Sequence, residues 1–201
     1  ILKLDDFMLE EVAKQQAKWI SEGWKVVPIS VNVSRAHFTR EDLAEHICEI
    51  VDRYQVPHNL IELELTESAF FDDKNLLLDT VRKMQELGFI VSMDDFGSGY
   101  SSLNSLKELH LDVLKIDAEF FRGLDEESFR EGNNIEERGL LIVAEVIDLA
   151  KKLNMQIVAE GIESREQVDF LVSQECDLIQ GYFFAKPMPV EEYAEKYCGC
   201  L

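Results

Sequence analysis

Six short apolar runs constrain this chain more than any other feature. They lie at residues 25–34, 60–66, 89–95, 112–117, 155–161 and 177–184, each with a polar side chain at or near its C-terminal end, and most give way to a stretch with helical spacing. Strands that alternate with helices pack as a parallel sheet joined by right-handed crossovers. The strand-end residues are Asn32, Glu64, Asp94 with Asp95, Lys115, Glu160 and Gln180. In an open doubly wound sheet such positions spread along a row, and only those near the switch point meet. In a closed barrel they converge on one mouth, which favours an α/β fold of the (β/α)8 TIM type. Barrels of that type have eight strands in about 250 residues, whereas six are legible in these 201. The expectation is a single domain over residues 1–201, incomplete at its N-terminus, with two strands before Ile1.

The helical stretches are read at residues 5–22, 40–55, 72–87, 101–109, 139–153, 164–173 and 190–197. Thr39 and Ser164 are the expected N-caps of the second and sixth, with Glu166 and Gln167 in the latter's first turn, and Gly88 is the stop of the third. The buried stripe of the second is expected at Leu43, Ile47, Ile50 and Val51. Residues 125–138 are polar and acidic around Gly132-Asn-Asn, which reads as a loop or irregular insertion.

Charge narrows the ligand classes. Forty acidic against twenty basic residues leave a formal charge of -20, which repels nucleic-acid polymers and anionic membranes over most of the surface. A phosphate ligand would need cations to mediate its binding. No run reaches the roughly 18 apolar residues of a membrane span, and no targeting segment is visible. The segment is therefore expected to be soluble and cytoplasmic, without membrane contact of its own, any anchor lying in other domains. Of the four cysteines Cys48, Cys176, Cys198 and Cys200, Cys48 falls on the apolar side of a helical pattern and Cys198-Gly-Cys200 lacks partners at zinc spacing, so they read as free thiols of a reducing compartment. His37, His46, His58 and His110 form no cluster or i, i+4 pair and read as surface or packing side chains.

The densest chemistry sits at Val91-Ser-Met-Asp-Asp-Phe-Gly-Ser-Gly-Tyr-Ser-Ser-Leu103. Consecutive strand residues face opposite ways, so Asp94 and Asp95 can share a site only where the backbone turns. Two carboxylates so placed repel unless a cation lies between them. The competing reading is an acidic strand-to-loop corner in which Asp95 caps the next helix. Glu64 and Glu67 lie three apart around another strand end. Lys115, inside an apolar strand, needs carboxylates near it.

Six motifs then carry a family resemblance. They are Ser30-Val-Asn-Val-Ser34, Glu64-Leu-Thr-Glu67, Asp94-Asp-Phe-Gly-Ser-Gly-Tyr-Ser-Ser102, Leu114-Lys-Ile-Asp117, Val158-Ala-Glu-Gly-Ile-Glu163 and Gln180-Gly-Tyr-Phe-Phe-Ala-Lys-Pro187. In this order the chain resembles the EAL domain, a family of bacterial phosphodiesterases of cyclic di-GMP. The Glu-Ala-Leu signature itself is not within these residues, Ser98 stands where threonine is commoner, and the stretch between Lys115 and Glu160 is longer than usual.

The resemblance implies two Mg2+ or Mn2+ ions held by Asn32, Glu64, Asp94, Asp95 and Glu160, with Asp94 bridging. It implies that Lys115 and Gln180 hold the attacking water and nearby phosphate oxygens, with Asp95, Gln180 and Pro187 on the substrate side. Glu163 would support the ligands, and Glu67 would anchor the 96–102 loop. All-oxygen donors suit hard ions, and a two-metal site suits phosphodiester hydrolysis. The implied reaction is hydrolysis of cyclic di-GMP to linear pGpG by a homodimer, with room for an upstream sensory or GGDEF domain. The alternative is an inactive receptor module for the same nucleotide; an unrelated metal-dependent barrel enzyme would not explain the Asp94 loop. The 201-residue chain by itself is expected to hydrolyse poorly.

Overall fold

The computed structural model describes residues 1–66, 74–97, 103–121 and 134–198. The helices are α1 (Leu2–Ser21), α2 (Leu43–Asp52), α3 (Lys74–Glu86), α4 (Leu103–Glu108), α5 (Asn134–Lys152), α6 (Arg165–Ser173) and α7 (Val190–Tyr193). The strands are β1 (Ile29–Asn32), β2 (Ile61–Thr66), β3 (Ile90–Phe96), β4 (Val113–Ile116), β5 (Gln156–Ala159) and β6 (Leu178–Ile179). They form one six-stranded sheet in chain order. Side-by-side strands in chain order, with helices between them, are the pattern of the (β/α) class predicted from the sequence. The packing resolves into two compact units, one of Ile1–Ser92 with Pro187–Leu201 and one of Met93–Lys186.

In the first unit β1 and β2 run parallel, with Asn32 opposite Glu64. Their apolar positions Val31, Ile61, Leu63 and Leu65 are buried, as are Leu43, Ile47, Ile50 and Val51 of α2. That helix stripe is the one predicted by its spacing. Each such aliphatic side chain taken fully out of water contributes about 1.5–3 kcal/mol. On α1 the buried stripe is Leu9, Ala13, Gln16 and Trp19, while Met8 and Ile20 remain exposed at its flanks.

Gln16 explains where two strands begin. Its Nε2 donates to the Val27 carbonyl at 2.7 Å and to the Leu60 carbonyl at 3.2 Å. Pro28 has no N–H to give to a ladder. The strand expected over residues 25–34 therefore starts at Ile29, and β2 starts immediately after Leu60.

The second helix also starts later than expected. Residues 35–39 form a 3-10 helix in which Thr39 Oγ1 donates back to the Ala36 carbonyl, so Thr39 caps nothing. Asp42 occupies the N-cap position, held by paired 2.9 Å bonds from the Arg40 guanidinium.

In the second unit β4–β5 and β5–β6 pair in parallel. Leu114, Ile116, Ile157, Ala159, Ile147 and Leu171 are buried completely. Ser164 caps α6 as expected, and the cap is a full box: Ser164 Oγ accepts from the Gln167 N–H while Gln167 Oε1 accepts from Ser164 N–H.

Two further boundaries are corrected. Residues 134–138, expected in a loop, are the first turn of α5; Glu and Arg favour helix as well as solvent, and their polarity was misread as irregularity. The last strand, expected over residues 177–184, is only Leu178–Ile179. Beyond it the chain turns, with Phe183 N–H donating to Ile162 O and Phe184 and Ala185 N–H to Gly181 O. Gly181 is pressed so close to Ile162 that a Cβ there would lie 2.0 Å from its carbonyl oxygen.

Candidate functional site

Every strand-end residue marked in the sequence, Glu67 aside, lies on described backbone. Glu67 and loop residues 98–102 lie outside the described residues. In the first unit Asn32 closes β1 and is exposed, while Glu64 in β2 is buried to 7% exposure. The backbones of these neighbours are fixed by parallel pairing, extended by the Val33 N–H donating 2.9 Å to Glu64 O.

In the second unit Asp94 and Asp95 are half-buried near the end of β3. Asp95 has φ 56°, in the left-handed region that non-glycine residues seldom occupy. Its N–H donates to Asp94 Oδ1 at 3.0 Å. The pleat that would send two adjacent carboxylates to opposite faces is thus broken where they sit. The next residue but one, Gly97, has φ +98° and lies under the Phe120 ring, leaving no space for a Cβ. Strain of this kind is kept where surrounding structure over-determines it, commonly at functional positions.

Lys115 lies in β4 and is buried, its ammonium 2.8 Å from Glu160 Oε1. Glu160 directly follows β5, and its N–H donates to Ile116 O at 3.0 Å, so the backbone ladder that pairs the strands also delivers the carboxylate to the lysine. The lysine's ion partner anticipated from the sequence is therefore present. A buried pair like this costs desolvation that only close, hydrogen-bonded geometry offsets.

Gln180 directly follows β6; its N–H donates to Ala159 O and its carbonyl accepts from Ile162 N–H, leaving the side chain exposed. Glu163 is exposed at the head of α6, its N–H bonded to Gln167 Oε1. Pro187 is exposed as well.

One cluster was missed. Cys48 and Asp52, one turn apart on α2, meet His58 of the 3-10 helix at residues 58–60. Cys48 Sγ lies 3.3 Å from Asp52 Oδ2 and 3.9 Å from His58 Nε2, and that nitrogen lies 2.9 Å from Asp52 Oδ1. His58 Nδ1 sits 2.6 Å from Leu87 O, and the ring stacks on Phe89 with centroids 4.4 Å apart. His58 is thus a packing histidine, as expected, but the expectation that the histidines join no cluster fails. The signal was Cys-x3-Asp followed by His six residues on, which becomes a group only because residues 53–57 turn back. Burial and the bond to Asp52 push the Cys48 thiol up to about 11, and His58 holds Asp52 below the ordinary carboxylate range. Cys48 and Cys176 are free thiols.

With this geometry established, comparison with known proteins is decisive. The EAL domain family matches residues 1–187. This chain belongs to the EAL domain family. Signaling protein YkoW of Bacillus subtilis (strain 168) is 32% identical over 195 residues, 97% of this chain and 23% of that protein. Cyclic di-GMP phosphodiesterase NbdA of Pseudomonas aeruginosa is 31% identical over 198 residues, 97% of this chain and 24% of that protein. The solved structure described as "PaMucR Phosphodiesterase, c-di-GMP complex" superposes with a TM-score of 0.82 at 31% identity, covering 96% of this chain and 74% of that one. The EAL segment here thus spans about a quarter of the length of these two curated relatives. Among the described residues no helix is long and apolar enough to cross a membrane.

Proposed function

We propose that this EAL domain is a metal-dependent phosphodiesterase that hydrolyses cyclic di-GMP to linear pGpG, and that it serves bacterial second-messenger signalling in the cytoplasm. The observation that carries the reading is the buried Lys115–Glu160 pair at 2.8 Å, set at the ends of adjacent strands in a family whose named relatives include cyclic di-GMP phosphodiesterases.

The donor set fits hard divalent ions. Asn32, Glu64, Asp94, Asp95 and Glu160 offer only oxygen, the choice of Mg2+ or Mn2+ over softer metals. Two ions so held would supply a nucleophile at neutral pH and neutralise charge on the phosphate. The other roles belong to side chains. Lys115, kept protonated beside Glu160, donates to the attacking water and to phosphate oxygen. Gln180 orients the same water, Asp95 and Pro187 border the nucleotide, and Glu163 steadies the ligands from outside. Glu67 anchors the loop that follows Asp95. Homodimerisation and an upstream sensory or GGDEF domain belong to the same reading.

The test is to follow cyclic di-GMP and pGpG by chromatography with Mg2+ or Mn2+ and again with chelator. Ion-dependent pGpG formation is expected. Nucleotide binding with no product under any ion would replace the enzyme by a receptor module.

A further inference from the structure

The Cys48–Asp52–His58 cluster is separate in residues from the phosphodiesterase set, and its hydrogen-bond pattern is informative. A backbone carbonyl only accepts, so the 2.6 Å contact with Leu87 O places the proton of a neutral His58 on Nδ1. Nε2 then presents a lone pair to Asp52 Oδ1 at 2.9 Å, acceptor against acceptor. A cation must lie between them, either a second ring proton or a metal. A nucleophilic role does not fit. In a Cys-His-Asp relay the thiol and the carboxylate use different ring nitrogens, whereas here both face Nε2 and Leu87 holds the other.

We propose that Cys48 Sγ, His58 Nε2 and an Asp52 carboxylate oxygen form a zinc site that ties the end of α2 to the segment entering β2. Zinc bonds of about 2.3 Å to sulfur and about 2.0–2.2 Å to nitrogen and oxygen, at tetrahedral angles, separate sulfur from nitrogen by about 3.6 Å, sulfur from oxygen by about 3.5 Å and nitrogen from oxygen by about 3.3 Å. Cys48 Sγ lies 3.9 Å from His58 Nε2 and 3.3 Å from Asp52 Oδ2, while His58 Nε2 lies 2.9 Å from the other oxygen, Asp52 Oδ1. One donor atom from each residue lies within 4.8 Å of the other two, so a turn of the exposed Asp52 carboxylate brings a single oxygen to the ion. Mixed sulfur, nitrogen and oxygen donors select zinc over Mg2+. The His58 Nδ1–Leu87 bond is the outer contact that orients a metal-binding imidazole. The exposed edge of Asp52 leaves the fourth position to water. On binding, the Cys48 thiol proton passes to solvent and the thiolate takes its place on the ion.

Cobalt(II) is the reporter, added to the chain in excess Mg2+ so that hard oxygen sites are filled. One equivalent is expected to give a near-ultraviolet thiolate-to-cobalt charge-transfer band that Zn2+ bleaches, and Zn2+ is expected to raise Tm. Cys48→Ser and Cys48→Ala should abolish band and Tm shift while far-ultraviolet circular dichroism is kept, and the exposed substitution Asp52→Asn should weaken zinc at least ten-fold. Absence of the band in the unsubstituted protein overturns the proposal in favour of a plain imidazolium–carboxylate pair. A band surviving in both Cys48 variants overturns it in favour of another thiol.

Discussion

The Lys115–Glu160 pair and the Cys48–Asp52–His58 cluster are both close-set polar groups, yet they are built on opposite plans. Lys115 and Glu160 stand on neighbouring strands, 45 residues apart, and are brought to 2.8 Å by ladder hydrogen bonds between backbones. Cys48, Asp52 and His58 lie within eleven residues and meet through one helical turn and a short reversal. The first pair is buried to 7% and 21% side-chain exposure, whereas Asp52 is 61% exposed. Where burial is deep and backbone pairing sets the position, substitution is costly to both chemistry and fold. Where an acid can relax into water, it is felt mainly through its ligand.

The largest effect is expected at the strand-end pair. Lys115→Ala and Glu160→Gln should each lower turnover of cyclic di-GMP by about 10²–10³-fold or more, since groups aimed at developing charge act chiefly in the transition state. Titration of the same variants with the nucleotide should show binding retained. Turnover within a few-fold of the unsubstituted protein would end the assigned role of that residue. Equal losses on Asp52→Asn would erase the contrast between the two groups.

Next in size is Gly181→Ala. Its Cβ would fall 2.0 Å from Ile162 O and 2.3 Å from Ile162 N, both backbone atoms that take part in the bonds to Phe183 and Gln180. Neither atom can move without breaking the end of β6. A loss of about 3 kcal/mol is expected by denaturant unfolding, and a loss under 1 kcal/mol would show that this turn relaxes freely.

What was legible in the sequence follows the same division. Strands, helices and their polar C-terminal ends could be read because period and position are local. The motif order then identified the family. Boundaries failed where a distant side chain or backbone decides them: Gln16 takes the carbonyls before β1 and β2, and Ile162 stops β6. The Lys115 partner was foreseen as a need, not as a named residue, because a buried ammonium demands a carboxylate without saying which. The Cys48 cluster is not legible from helix periodicity because its histidine does not lie at i+4 on the same helix but comes from the element after the reversal.

A smaller and pH-dependent effect is expected at His37, buried at 3% exposure with Asp5 Oδ2 at 3.3 Å. Burial, outweighing Asp6 and Asp5 and assisted by His46 and Arg40, holds its pKa below the ordinary histidine value. The unfolded chain therefore takes up the proton first as pH falls. The stability contribution is present above about pH 6.5 and is lost as pH drops through the lower folded value, with a slope of at most about 1.4 kcal/mol per pH unit from this one group. Urea unfolding of His37→Gln between pH 7 and pH 5 should show a shallower decline than the unsubstituted protein. An unchanged slope would mean that other groups carry the acid sensitivity.

The smallest effect, and the one that sharpens the contrast most locally, is expected at the head of α6. Ser164 Oγ accepts from Gln167 N–H at 3.2 Å, while Gln167 Oε1 accepts from the N–H of Ser164 and of Glu163, and Gln167 Nε2 donates to Phe121 O. Ser164→Ala removes the bond that caps the Gln167 N–H, so about 1 kcal/mol of stability should be lost. Gln167 still holds the Glu163 backbone in that variant. Ser164→Ala should therefore change unfolding but leave the chromatographic turnover assay within about two-fold, below the effect of losing even one hydrogen bond to reacting charge. A ten-fold fall in turnover without a matching fall in stability would show that the cap aligns the Glu160–Glu163 segment, and would extend the strand-end plan of construction into the helix that follows it.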